Sequence, residues 1–102
     1  MNRQVIIPYP VRMLCNTYCN AVRALTGADP AERSRRWVVV YSRMMVAHRL
    51  LLEGCTQHSV ANLLGVDHAT INHYRQRMGT ILTTPGYEGE QELWDKFNDK
   101  TI

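Results

Sequence analysis

The stretch Gln57-His58-Ser59-Val60-Ala61-Asn62-Leu63-Leu64-Gly65-Val66-Asp67-His68-Ala69-Thr70-Ile71-Asn72-His73-Tyr74-Arg75-Gln76-Arg77 has the spacing of two helices joined by a tight turn. Ala61 is small where two helices must cross closely. Gly65 stands at the turn, where positive φ is needed, and Asp67 is a natural N-cap for the second helix. Val60, Leu64, Val66 and Ile71 supply an apolar wedge between the two. The pattern predicts helices over 57–64 and from 68 to about 82, which together form a helix-turn-helix. The plainer alternative is a helical hairpin whose Gly and Ala merely permit packing. The basic flank and the polar outer residues argue against it.

Working outward, the flanking segments read as helices too. Trp37 to Glu53 runs about seventeen residues without a turn signal, too long for a strand despite Val38-Val39-Val40. Trp37, Val40, Tyr41, Met44, Ala47, His48 and Leu51 share its expected apolar face. Upstream, Val11, Leu14, Cys15, Tyr18, Val22 and Leu25 mark another amphipathic helix, with Pro10 at its start and Gly27 at its stop. A short extended leader around Pro8-Tyr9-Pro10 precedes it. Asp29-Pro30-Ala31-Glu32 reads as a fresh helix start, with an N-cap acid, then proline, then Glu. Thr83-Thr84-Pro85-Gly86 breaks the chain before a last helix, where Leu93, Trp94 and Phe97 share a face. No alternating strand pattern survives. The expected fold is all-α: a multi-helix domain over 1–84 containing the helix-turn-helix, with an acidic helix in 85–102 packed on it.

At 102 residues there is room for one hydrophobic core. The net charge of +3 hides an asymmetry. Residues 1–84 hold ten Arg, no Lys and four acids, a balance of +6, whereas 85–102 carry −3. Arg33, Arg35, Arg36, Arg43 and Arg49 fall between Glu32 and Glu53 with no acid among them. Such a block is either a solvated helix face or a phosphate-binding footprint. No segment approaches the ~18 consecutive apolar residues of a membrane span, and Val5-Ile6-Ile7 is too short for a secretory core. A cytoplasmic protein is expected.

The second helix of the motif is expected to expose His68, Ala69, Asn72, His73 and Gln76. Asn, Gln and His hydrogen-bond base edges, and an Ala methyl can touch a thymine methyl. Thr70, Arg75 and Arg77 suit phosphates. Asp67-His68-Ala69-Thr70-Ile71-Asn72-His73 also resembles the Arg-Asp-His-(Ser/Thr/Ala)-Thr-Val-x-His signature of the C-terminal DNA-binding domain of DnaA, the bacterial chromosomal replication initiator. The resemblance covers roughly residues 11–82, with Val66 in place of the signature arginine and a shorter basic loop. It implies a Trp-repressor-like helical fold and origin binding. Arg35 would enter the minor groove, Asp67, His68 and Ala69 would face bases, and Thr70, Arg43 and Arg77 would meet the backbone. Arg33 and Arg36 fall in that family's basic loop. The implied partners are double-stranded DNA and a replication or regulatory protein. The initiator's ATPase is not expected: there is no Gly-x-x-x-x-Gly-Lys-(Ser/Thr) loop, and the first lysine is Lys96.

Other chemistries fare worse. Cys15, Cys19 and Cys55 lack a Cys-x-x-Cys pair and read as reduced, mostly buried thiols; with two histidines, Cys15 and Cys19 match no recognised zinc spacing. Asp67-His68 with Cys55 or Ser59 makes a poor hydrolytic set, because adjacent residues at a helix start do not orient one another and no oxyanion motif accompanies them. No enzyme, cofactor, metal or small-molecule substrate is expected. His48 and Trp37 are assigned to the core, Met44-Met45 to core filling, and His58 to solvent. The acidic tail reads as a solvated face, a DNA mimic over the arginines, or a partner contact. Two functional alternatives remain: a helical protein–protein adaptor, and a transcriptional regulator with a generic helix-turn-helix.

Overall fold

A computed structural model describes residues 9–101. Of the extended leader expected around Pro8-Tyr9-Pro10, Tyr9 and Pro10 are instead the first residues of a helix, and Pro8 lies outside the described residues. Among the described residues there are five helices: α1 (Tyr9–Thr26), α2 (Trp37–Leu52), α3 (Gln57–Leu64), α4 (His68–Thr83) and α5 (Glu88–Lys100). Among the described residues there is no strand, so the fold is all-α. None of these helices is long and apolar enough to cross a membrane.

α2 is the axis of the molecule, packed against α1, α3 and α4. Those helices, with side chains of α5, bury it nearly all round: Val39, Tyr41, Met44, Met45, Val46, Ala47 and Leu50 are all buried. A single apolar stripe is the signature of a helix with one neighbour, so the face expected from periodicity is too narrow here. Val40, His48 and Leu51 are only half-buried. Trp37, assigned to the core, is 40% exposed. It is the first residue of the helix, and its ring stacks on Tyr41 at 5.5 Å. The buried Ser42 is satisfied within the core, donating to the Val38 carbonyl and sharing a hydrogen bond with Thr26 Oγ1.

α1 supplies Cys15, Tyr18 and Val22 to the core and stops at Gly27, whose φ is +75°. The helix start expected at Asp29 closes as one turn and goes no further. Asp29 Oδ1 accepts from the Ala31 amide at 2.9 Å, and the Glu32 amide donates to the Asp29 carbonyl. The carbonyls of Pro30 and Glu32 accept from the Arg43 guanidinium, and the Ser34 amide turns to the Glu32 carbonyl instead of continuing a helix to Pro30. Residues 33–36 run on to α2 without regular structure.

α5 closes the bundle against α1 and α4. Phe97 is fully buried, edge-on to Tyr18 with centroids 5.7 Å apart. Burying such a side chain contributes ~1.5–3 kcal/mol. Polar ties fix the helix further. Tyr41 donates to the Glu90 carbonyl at 2.6 Å, and Gln91 Nε2 donates to the carbonyls of Ile81 and Thr84. Arg49 Nη1 reaches Asn98 Oδ1 and Thr101 Oγ1. This arginine of the basic block therefore faces inward.

Candidate nucleic-acid interface

Local sequence builds the motif at α3 and α4. Thr56 caps α3, its Oγ1 accepting from the Ser59 amide at 3.1 Å. Gly65 ends the helix at φ +67°, ψ 35°, a conformation that strains any residue with a Cβ. The Val66 amide folds back to the Ala61 carbonyl at 3.0 Å. Val60 and Ile71 are fully buried between the helices, Ala61 is buried at their crossing, and Leu64 and Val66 pack half-buried at the rim.

Asp67 occupies the N-cap of α4 with extended backbone, φ −71° and ψ 150°, but its side chain makes no capping hydrogen bond. The capping role expected of it is filled by backbone alone: its carbonyl accepts from the Ile71 amide. The carboxylate stays exposed at the turn.

Along α4, Ile71, Tyr74, Met78 and Ile81 face the core. His68, Ala69, His73, Arg75, Gln76 and Arg77 are exposed, while Thr70 and Asn72 are half-buried. The outward set anticipated from the sequence thus shares one side of the helix. Two of its members are held from within. Asn72 Oδ1 accepts from Arg75 Nη2 at 3.0 Å, and the Arg77 guanidinium lies 5.3 Å from the centroid of the Trp37 ring. Trp37 Nε1 in turn donates to Glu90 Oε1 at 3.3 Å.

The arginine loop lies across the turn of the motif. Ala31, Arg33 and Arg43 line a cavity of about 340 Å³ together with Leu64, Gly65 and Val66. Arg33, Arg35 and Arg36 are exposed, and Arg36 makes only a loose 3.9 Å pair with Glu32. Arg43 differs. Its Nε donates to the Pro30 carbonyl at 2.8 Å, Nη1 to the Tyr74 hydroxyl at 3.2 Å and Nη2 to the Glu32 carbonyl. It joins the loop to α2 and α4 rather than standing in solvent. Asp29 helps from the other end: the Ala31 amide and the Arg23 guanidinium hold its carboxyl below the usual range.

Sequence reasoning overlooked His58. Its ring stacks on that of His68 with centroids 4.2 Å apart and planes only 13° from parallel. The available signal was positional, since both residues fall in the first turn of their helices on either side of a short turn. Among the described residues, no three His, Cys, Asp or Glu side chains converge to hold a metal ion. No protein-family model, curated protein or solved structure matches the chain.

Proposed function

We propose that this chain is a sequence-specific binder of double-stranded DNA, in which α4 reads base edges from the major groove. The observation that carries the reading is the exposed row on α4, from His68 and Ala69 to His73 and Gln76, beside an exposed arginine loop across the same turn. The N-terminal residues of a recognition helix reach base edges, and flanking arginines hold phosphates and fix the register. Arg33, Arg35, Arg36, Arg75 and Arg77 are the candidate phosphate partners. Arg43 supports them from behind.

The resemblance to the DnaA domain refines the proposal. On it, the helices adopt a Trp-repressor-like arrangement, Arg35 enters the minor groove beside the main site, and the chain acts in replication initiation. A cytoplasmic setting and a replication or regulatory partner belong to the same reading.

Selection from a randomised duplex pool tests it, followed by titration of the winner at several salt concentrations. A reproducibly enriched sequence, bound below micromolar and weakened steeply by salt, is the expected result. A protein adaptor on the same fold would enrich no sequence, and that outcome would overturn the proposal.

A further inference from the structure

We infer that His58 is a positioning residue for base recognition, acting through the ring of His68. The inference rests on the DNA-binding reading and adds a specificity determinant from outside the recognition helix. His68 is the first residue of α4 and exposed, so by itself its imidazole would sweep through several rotamers. The side chain of the preceding Asp67 makes no capping bond that would close over it. What it does meet is the His58 ring, lying flat against it at 4.2 Å.

A near-parallel contact of this kind restricts rotation about both side-chain torsions of His68 while leaving the ring edge, with its nitrogens, open to a partner. The backbone that carries the His58 ring is fixed in turn. His58 lies in the first full turn of α3, which the Thr56 cap holds, and its carbonyl accepts from Asn62 Nδ2 at 3.1 Å. The two helices meet through Val60, Ala61 and Ile71, so the distance between the rings is set by the motif's own core. A base-reading group held before it binds avoids the ordering cost that a mobile one meets on binding. His58 is exposed and its imidazole makes no hydrogen bond among the described residues, so the stack is how its ring engages the fold.

The test compares His58→Ala, His58→Phe, His68→Ala and the double variant His58→Ala/His68→Ala on the duplex selected by the wild-type chain and on its single-base-pair variants. His58→Ala is expected to lower discrimination about two- to twelvefold at the one base pair read by His68, the cost of ordering one more side chain. Discrimination elsewhere and the melting temperature should stay put. His58→Phe keeps a flat ring without hydrogen-bonding nitrogens and should restore discrimination. In the His68→Ala background, His58→Ala should add nothing.

Additive losses, or a Phe variant as poor as Ala, would show that His58 contacts DNA itself and overturn the inference. The ring can also be followed without DNA. Removing the His58 ring should shift the His68 Cε1–H resonance downfield, by loss of the stacked ring current, and an unmoved resonance counts against the stack. If the wild-type chain selects no duplex at all while that resonance shifts, the DNA reading has failed and the role of His58 in recognition falls with it. If the wild-type chain selects a site and His58→Ala reads it unchanged, only the positioning role is lost.

Discussion

Arg43 holds the Pro30 carbonyl through Nε at 2.8 Å, across thirteen residues of chain, and with it the whole arginine loop. The same guanidinium donates to the Glu32 carbonyl and to the Tyr74 hydroxyl on α4. Arg43→Ala should therefore cost about 2–3 kcal/mol of stability, since hydrogen bonds to charged groups are the stronger ones and their partners would be left bare. Arg43→Lys should recover little, because an ammonium cannot reproduce the fork. Denaturant unfolding measures the loss, and trypsin should cut faster after Arg33, Arg35 and Arg36. Weaker DNA binding with stability intact would instead make Arg43 a direct phosphate contact.

The salt dependence of binding follows from which arginines face outward. Arg43 and Arg49 are engaged inside the fold, and Arg23 pairs with Asp29 at 3.2 Å. If three to five of the others meet phosphates, log K against log[salt] should fall with a slope of about −2.7 to −4.5. Arg36→Ala should weaken all sequences alike and flatten the slope by roughly one unit. Arg35→Ala is expected, in addition, to relax any A·T preference flanking the main site. A slope near zero in the unaltered chain excludes phosphate contacts altogether.

His68→Ala should lose discrimination at a single base pair, by ~1–3 kcal/mol, with melting almost unchanged. Competition against single-base-pair variants of the selected duplex reads this directly. Unfolding of the variant would place His68 in the core, against its exposed position at the head of α4.

The two caps of the motif should respond differently to the same substitution. Thr56→Ala removes an observed side-chain bond to the Ser59 amide and should cost ~0.5–2 kcal/mol. Asp67 makes no such bond, so Asp67→Ala should lose only the attraction between its charge and the helix dipole, about a few tenths of a kcal/mol that salt screens. Chemical denaturation of both variants in about 0.5 M salt, where the Debye length is only a few Å, separates them. Equal losses would mean that Asp67 closes over α4 in solution.

His48 carries a pH dependence whose sign can be worked out. Burial holds its imidazole below the ordinary range, and among the described residues Nδ1 has no hydrogen-bond partner beside Trp94. Below pH ~6.5 the unfolded chain takes up a proton that the folded chain resists, so this site's stabilisation is complete above that pH and falls as the solution is acidified. Glu53, held below the usual carboxylate range by Arg49 and Tyr18, acts in the same direction but at lower pH. Melting between pH 7.5 and 5.5 should therefore drop less in His48→Leu than in the unaltered chain. Parallel curves would remove His48 from the account.

What the sequence disclosed depended on whether the deciding contacts were local. Gly65, Ala61 and the wedge of Val60 and Ile71 act over one or two turns, and α3 was legible to its last residue. α2 was legible in extent but not in face, because several neighbours rather than one cover it. Asp29-Pro30 has every local mark of a helix start, yet its single turn ends at Glu32 and the Pro30 carbonyl pairs with a guanidinium thirteen residues on. The surroundings of Trp37 come from Arg77 and Glu90, on helices that begin far along the chain. The outward side of α4 was legible from spacing alone. The stacking of His58 on His68 needed the turn geometry.

The contact between Tyr18 and Phe97 joins the first helix to the last, and so has a consequence for synthesis. A ribosome delivers α1 through α4 before the residue that fills the space beside Tyr18 exists. Until α5 emerges, the side of α1 that receives Phe97 stays wet, and the ties from Arg49 and Tyr41 have no acceptors. Closure over nearly the full length of a chain comes late, because the entropy of the long loop is lost before the contact rewards it. The recognition helix would thus be complete as a peptide well before it is mounted on a finished core, and a nascent chain stalled near Thr84 should be protease-sensitive throughout.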